Sequence, residues 1–111
     1  ASREKLSVSE RKQLSWYICG PTVYDVSHIG HARTYVCFDI LNRILTSVGF
    51  DVHLTMGMTD VDDKIIRASA KQGLSYLQVA RRFEAEFIED MLTLRVLPPR
   101  MYLRVSEHMN E

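Results

Sequence analysis

A polar run at residues 19–31, Cys-Gly-Pro-Thr-Val-Tyr-Asp-Val-Ser-His-Ile-Gly-His, lies between two apolar patterns. Residues 16–19 read as a short buried strand, and apolar side chains after the run recur at the spacing of an amphipathic helix. These later residues are Val36, Ile40, Ile44 and Val48. A helix that begins after a strand and a polar loop attracts anions, because its first backbone N–H groups lack partners and its dipole is positive there. With His28 and His31 at this point, the sequence predicts phosphate binding.

The rest of the chain continues the alternation of strand and helix, and glycine or proline closes most of the predicted elements. The first expected elements are a strand over residues 16–19 broken by Gly20-Pro21, a helix over 31–48 stopped by Gly49, and a strand over 50–56 ended by Gly57. Two helices follow, one over 60–72 closed by Gly73 and one that runs from a capping box at Ser75 and Gln78 to about residue 96. The last expected element is an extended segment over 101–105, after which Ser106 could cap a further helix.

Strands joined by a crossover helix of this length pair in parallel, and such connections are almost always right-handed. The pattern predicts an α/β fold that opens a doubly wound nucleotide-binding sheet. Ligands of such sheets bind at the carboxyl ends of the strands. We therefore expect Cys19, the histidine loop and Thr59 to converge on one crevice. The glycine-rich dinucleotide fingerprint is missing, which argues against a dehydrogenase.

Composition limits the other possibilities. Fourteen basic and fourteen acidic side chains give a formal net charge of zero, so overall charge makes no case for nonspecific binding to nucleic acid or membranes. Cys19 and Cys37 are too few and too far apart for a disulfide framework, so we expect a reducing compartment. No apolar stretch approaches the roughly 20 residues of a membrane-spanning helix. We expect an intracellular protein.

Three groups of residues are expected to be structural. Cys37 is predicted in the core, and the apolar face of the third helix is predicted to pack on the sheet. Asp60, Asp62 and Asp63 could attract magnesium, but we favour solvent-exposed charges that offset the dipole of the second helix.

Four motifs together carry a family resemblance. They are Cys-Gly-Pro-Thr-Val-Tyr-Asp at 19–25, His-Ile-Gly-His at 28–31, Phe-Asp at 38–39 and Thr-Asp-Val-Asp-Asp-Lys-Ile-Ile at 59–66. Their order and spacing resemble those of cysteinyl-tRNA synthetases, a family of class I aminoacyl-tRNA synthetases, from residue 16 to about residue 107. The resemblance implies an N-terminal arm over residues 1–15, and the N-terminal half of a Rossmann-like nucleotide-binding fold with a parallel sheet over 16–111.

The resemblance also implies a reaction in two steps. Cysteine attacks the α-phosphate of ATP to give cysteinyl-adenylate and pyrophosphate, and the cysteinyl group then moves to the 3′ end of tRNA(Cys). His28 and His31 would be catalytic, contacting the triphosphate and stabilising charge as pyrophosphate leaves, and Gly30 would let the nucleoside approach the backbone. The implied contacts are Pro21, Tyr24, His28, Gly30 and His31 for ATP, which acts with Mg²⁺, and Gly20, Thr22 and Thr59 for the amino acid.

Cys19 would be one of four zinc ligands by the same resemblance. The metal takes the thiolate of the substrate cysteine as a further ligand and so separates cysteine from serine. The alternative is that Cys19 is a small buried strand residue. Because no other position here matches a family ligand, we expect weak or absent zinc binding by this segment.

Other parts of the family pattern lie beyond this sequence, including a lysine-rich loop and an anticodon-binding domain. We therefore expect an incomplete segment of a larger synthetase, inactive by itself, whose partners are ATP, L-cysteine, tRNA(Cys) and the rest of the chain, with no membrane. The compartment would be the cytoplasm or the mitochondrial matrix. Two alternatives stay open: a related ligase that joins cysteine to an amino sugar, and a catalytically inert nucleotide-binding or interaction module.

Overall fold

A computed structural model describes residues 12–109, which form one parallel sheet and three α-helices. The elements in chain order are β1 (Gln13–Thr22), α1 (Ile29–Ser47), β2 (Asp51–Thr59), α2 (Asp63–Gln72), α3 (Tyr76–Thr93), β3 (Met101–Arg104) and a 3₁₀ turn (Val105–Glu107). The strand order is β1-β2-β3, and both neighbouring pairs are parallel. The predicted α/β fold with a parallel sheet is confirmed. Of the expected N-terminal arm, residues 1–11 lie outside the described residues, and residues 13–15 belong to β1.

The helices share one face of the sheet and build the core there. The ring centroids of Tyr35 on α1 and Phe87 on α3 are 5.3 Å apart. Those of Phe38 on α1 and Trp16 on β1 are 5.7 Å apart. Two right-handed crossovers that step in the same direction place their helices on the same face. Alternate residues of β1, such as Tyr17 and Cys19, are exposed on the opposite face.

Both long strands run further than the sequence predicts. β1 continues through Gly20 and Pro21 to Thr22, because it is an edge strand, where proline is tolerated, and its register shifts between Cys19 and Thr22. β2 continues through Gly57 to Thr59. A side chain at Gly57 would overlap the hydroxyl of Tyr17, so this glycine makes room for the neighbouring strand's aromatic ring and does not end the strand.

The predicted helix stops are confirmed at two glycines. Gly49 has φ 102° just after α1, and Gly73 caps α2 in the left-handed conformation with φ 66°. The capping box of α3 is also confirmed, with Ser75 Oγ accepting from Gln78 N and Gln78 Oε1 accepting from Ser75 N. α3 ends earlier than predicted, at Thr93.

The predicted orientation of α1 is wrong. Ile40, Ile44 and Val48 are 52%, 52% and 57% exposed, and Cys37 is exposed as well, not in the core. The helix instead turns Tyr35 and Phe38 inward, because these rings offer more apolar surface to bury and the Tyr35 hydroxyl finds a partner there. α1 is apolar on two sides, and only packing decides between them.

Two expectations near chain turns also change. α2 begins at Asp63, with the Asp62 carboxylate accepting from Lys64 N as the N-cap, and Asp60 lies before the helix, fully buried. Ser106 does not begin a helix within the described residues, but lies inside the 3₁₀ turn after β3. On α3 the predicted packing against the sheet is confirmed, since Phe83, Phe87 and Met91 are buried.

Candidate active site

The start of α1 is closed by a reciprocal pair of histidines. His28 is the N-cap, and its Nδ1 accepts from Gly30 N at 3.1 Å. Three residues on, His31 Nδ1 accepts from His28 N at 3.2 Å, so the two imidazoles form a capping box. The rings stack with their centroids 3.9 Å apart and 21° between their planes. Contacts within residues 28–31 therefore hold both side chains.

This cap determines which ring nitrogen carries the proton. A backbone N–H can only donate, so each Nδ1 that accepts from one must be unprotonated. In the neutral state each imidazole therefore carries its proton on Nε2, the atom on the far side of the ring. Two Nε2–H donors are thus available to an anion, side by side at the positive end of the helix dipole.

The surroundings of the second histidine, His31, favour its neutral form by lowering its pKa. Burial, and to a lesser extent the neighbouring His28, lower the pKa of His31 below its ordinary value of 6.5. Desolvation disfavours the imidazolium, and a positive charge on the stacked ring would repel a second one. A neutral His31 preserves both the cap and the Nε2–H donor.

The structure gives a local reason for a glycine at position 30, and the sequence did not suggest this reason. A Cβ at this position would lie 2.8 Å from Cε1 and 2.9 Å from Nδ1 of His28. Contacts this short would push the ring away from the helix start. The absence of a side chain at Gly30 therefore lets His28 fold back onto the first turn.

The two histidines face an open cavity of about 250 Å³ at the carboxyl end of β1. Its lining contains four of the residues predicted for the site and three that were not predicted. The lining residues are Thr22, Tyr24, Asp25, Val26, His28, His31 and Lys64. The ammonium of Lys64 lies 5.5 Å from the centre of the Tyr24 ring, which brings the start of α2 against the loop after β1.

The other predicted site residues lie beside this cavity and do not line it. Thr59 ends β2 opposite Thr22, and its carbonyl accepts from Val23 N at 3.1 Å. Gly20 packs against the backbone of Gly57, where a Cβ would overlap the carbonyl oxygen. Pro21 is buried between these positions. The strand ends thus meet as predicted, with backbone contacts that hold the loop over the sheet.

Cys19 is set apart from the histidines. Its backbone carbonyl accepts from the hydroxyl of Tyr35 at 3.0 Å, while its side chain is exposed. Burial, with a smaller contribution from Cys19, raises the pKa of Tyr35 to about 12, so the phenol stays protonated and donates. Cys19 does not line the cavity with the histidine loop, so the predicted convergence is not seen there. The alternative, a buried strand cysteine, is wrong because the side chain is exposed.

A buried ion network next to Thr59 was missed by the sequence reasoning. Asp60 Oδ1 accepts from Ser106 N at 2.8 Å, and Oδ2 accepts from Ser106 Oγ at 2.5 Å and from Arg81 Nη1 at 2.9 Å. Arg81 and Arg104 also pair with the buried carboxylate of Glu84 on α3. We call this set the Asp60 clamp. It ties the carboxyl ends of β2 and β3 to α3, and its only sequence signal was an Arg and a Glu beside the apolar face of that helix.

Asp39, from the Phe-Asp motif, holds a second tie between elements. Its Oδ1 accepts from Leu97 N at 2.9 Å, and its Oδ2 accepts from Arg43 Nε at 2.8 Å. Arg43 in turn donates to the carbonyl of Arg95 at 2.7 Å. The motif therefore fastens α1 to the segment that follows α3.

Comparison with known proteins identifies the family. A family model described as the catalytic domain of class I (C) tRNA synthetases matches residues 5–111. The chain belongs to the cysteinyl-tRNA synthetase family.

Relatives of this chain come from distant organisms. It is 48% identical over 99 residues to the protein named cytoplasmic cysteine–tRNA ligase of Dictyostelium discoideum, covering 88% of this chain and 15% of that protein. It is 47% identical over 106 residues to the probable mitochondrial cysteine–tRNA ligase of the same organism, covering 95% and 18%. For the cysteine–tRNA ligase of Methanococcus aeolicus the identity is 46% over 105 residues, covering 95% and 22%. The segment thus spans about a fifth of the length of these relatives.

A solved structure supports the fold of this chain. The methionyl-tRNA synthetase of Mycobacterium tuberculosis, determined in complex with methionyl-adenylate, superposes with a TM-score of 0.79 at 22% sequence identity. The match covers 86% of this chain and 18% of that one. At this identity the likeness is one of fold, and it confirms the predicted Rossmann-like class.

The described part of the chain does not offer a complete zinc site. Zinc sites in proteins use three or four protein ligands, and residues 12–109 hold no group of three His, Cys, Asp or Glu side chains placed to share a metal ion. The carboxylates at positions 60, 62 and 63 are not such a group either, since Asp60 lies in its clamp and Asp62 caps α2. Cys19 alone cannot hold the metal.

No helix among the described residues of the segment is both long enough and apolar enough to cross a membrane.

Proposed function

We propose that this segment forms the ATP-binding part, and half of the cysteine-binding part, of a cysteine–tRNA ligase. The longer protein activates cysteine with ATP and transfers it to tRNA(Cys). The observation that carries this proposal is the pair of stacked imidazoles, which leave two Nε2–H donors free of the cap and which line a cavity at the carboxyl end of β1. The names of the relatives support the ligase and give no support to the amino-sugar ligase or the inert module.

In the first step, a carboxylate oxygen of cysteine attacks the α-phosphorus of ATP, and the bond from that phosphorus to the pyrophosphate oxygen breaks. Negative charge grows on the leaving pyrophosphate. His28 and His31 donate from Nε2 to its oxygens, and the dipole of α1 adds to the field. These donors are already oriented by the capping box, so little reorganisation is needed when the charge develops. No covalent intermediate with the protein forms.

The remaining site residues divide between the two substrates. Tyr24 and Lys64 line the cavity and bound the ATP site, and Pro21 and Gly30 shape the backbone beside it. Gly20, Thr22 and Thr59 lie at the strand ends, where the amino acid is placed. Cys19 supplies one thiolate ligand toward zinc, whose other ligands come from outside this segment. Mg²⁺ enters with ATP. The compartment is the cytoplasm or the mitochondrial matrix, in line with the names of the two relatives from Dictyostelium discoideum.

Cysteine-dependent exchange between ATP and pyrophosphate, measured on the full-length protein, tests the proposal. His28→Asn and His31→Gln are suitable variants, because asparagine still caps a helix and glutamine still completes a capping box, while the ring donors are lost. Each should lower the exchange kcat by about 10²–10³-fold, the usual cost of one donor to a developing charge. Lys12→Gln, at the other end of β1, is the control and should exchange normally.

Three outcomes would contradict the proposal or part of it. Absence of cysteine-dependent exchange in the full-length protein would refute the ligase and favour the inert module. Exchange without charging of tRNA(Cys) would favour the amino-sugar ligase. Full exchange in both histidine variants would remove the two imidazoles from the mechanism.

A further inference from the structure

A second cavity, of about 350 Å³, lies along α2 next to the candidate ATP site. Its lining combines basic side chains of α2 with the loop after β1 and one aromatic residue of α3. The lining residues are Tyr24, Asp25, Lys64, Arg67, Ala68, Lys71, Gln72 and Phe83. We call this cavity the α2 groove. Its role is not explained by the activation of cysteine.

The basic side chains of the groove form one stripe. Lys64, Arg67 and Lys71 follow the spacing that places residues on one face of a helix, while Ile65, on the opposite side, is buried in the core. At about 1.5 Å per residue, the stripe is about 10 Å long. All three cations are exposed.

The stripe is not neutralised by its surroundings. The ion pairs among residues 12–109 involve none of the three side chains. The one acidic residue in the lining is Asp25, which leaves an excess of positive charge. Because the chain as a whole has no net charge, such a local excess stands out.

The groove adjoins the candidate ATP site. Tyr24, Asp25 and Lys64 line both cavities, so one extended ligand can contact both along this shared wall. A strand whose last nucleotide lies beside the histidines would therefore run along α2. Its phosphates would meet Arg67 and Lys71, and the face of the half-buried Tyr24 ring would be available to a base.

We infer that the α2 groove binds the phosphodiester backbone of an RNA strand just before its 3′ end. The inference rests on the proposed function, since that function brings the 3′ end of tRNA to the adjoining cavity. The cations of the groove bind phosphate groups, and these could come from either an RNA strand or ATP. The length of the stripe beyond the histidine cavity favours the polynucleotide.

The test uses the full-length protein with the double variant Arg67→Gln/Lys71→Gln. Lys64 is left in place because it also lines the candidate ATP site. Lys12→Gln, which removes an exposed cation at the far end of β1, is the matched control. Binding of fluorescently labelled tRNA is measured by anisotropy at several salt concentrations, and KM for ATP is measured by exchange.

The double variant should bind tRNA about tenfold more weakly, which corresponds to a loss of roughly 0.7 kcal/mol for each exposed contact. The slope of log Kd against log salt should fall by about 1.5, as expected for two lost phosphate contacts. KM for ATP and the exchange kcat should stay within about twofold of the wild-type values.

Two results would overturn the inference. One is tRNA binding by the double variant that equals that of the Lys12→Gln control. The other is a raised KM for ATP with unchanged tRNA binding, which would assign the cations to the nucleotide. A wild-type protein that binds tRNA through these cations but shows no exchange would instead refute the proposed function and leave the groove as an RNA site.

Discussion

The Asp60 clamp allows a quantitative test of how the strand ends are held. Asp60→Ala removes the acceptor for three hydrogen bonds, two from Ser106 and one from Arg81. Each Ser106 bond to the buried carboxylate is worth about 1.5 kcal/mol. Arg81 adds less than about 1 kcal/mol, because its side chain is 40% exposed and water can solvate it. The expected loss is therefore about 3–4 kcal/mol.

Hydrogen exchange of the full-length protein, followed by mass spectrometry, measures this loss locally. A change of about 3 kcal/mol corresponds to roughly 10²-fold faster exchange of the peptide that contains Ser106. Asp60→Asn keeps an oxygen that accepts from Ser106 N and should give an intermediate effect. Asp63→Ala, an exposed first-turn residue of α2, is the control. The reasoning would be refuted if the Ser106 peptide exchanged in Asp60→Ala at the wild-type rate, or if Asp63→Ala accelerated its exchange equally.

The clamp also has a defined response to acid. Burial raises the pKa of Asp60, but the Ser106 hydrogen bonds and the Arg81 guanidinium outweigh burial and hold the pKa below its ordinary value of 3.8. A lowered pKa means that the clamp stabilises the fold fully above that value, and that the contribution is lost as the pH falls through the lower, folded-state pKa. The peptide with Ser106 should therefore lose extra protection only below about pH 4, and Asp60→Ala should abolish this dependence.

Three further predictions concern local geometry. Gly20→Ala should destabilise the pairing of β1 with β2 by about 2 kcal/mol, because its Cβ would meet a backbone carbonyl. Gly57→Ala should cost less than about 1 kcal/mol, because the exposed Tyr17 ring can rotate away from the new Cβ. Hydrogen exchange of both strands distinguishes the two variants, and equal effects would contradict this account. Ser75→Ala should cost about 1 kcal/mol of α3 stability, seen as faster exchange of its first turn, and unchanged exchange would argue against the cap. A histidine-selective NMR titration should give His31 a pKa below 6.5, and His28→Asn should raise that pKa; a value above 6.5 would contradict the lowering by burial and by His28.

The sequence predicted best what is decided locally. The glycine stops at Gly49 and Gly73 and the capping box at Ser75 depend on residues within one turn of each other, and all three are confirmed. The parallel pairing and the fold class could be predicted because helical crossovers leave few ways to pair strands.

The predictions were wrong where a residue's contacts are distant in the chain. Asp60 looked like a solvent-exposed charge because Arg81 and Ser106, which bury and satisfy it, are 21 and 46 residues away. The orientation of α1 failed for a related reason, since Tyr35 on one side and Ile40 on the other are both apolar and the sheet decides between them. In the candidate site, Lys64 was missed as a lining residue because it belongs to α2 and reaches the loop after β1 only in three dimensions.

The sheet has a property that bears on how the protein is made. Its strands lie side by side in the order in which they occur in the chain, β1 then β2 then β3. A ribosome releases a chain from the N-terminus, so each strand can dock on a neighbour that has already emerged, and no position has to be kept open for a later strand to insert between them. Ser106 emerges after every other member of the Asp60 clamp that contacts Asp60, so the clamp can close only when β3 is in place. Until then, the carboxylate of Asp60 remains without its backbone donor, and the strand end that carries Thr59 is held through β1 and not yet through β3.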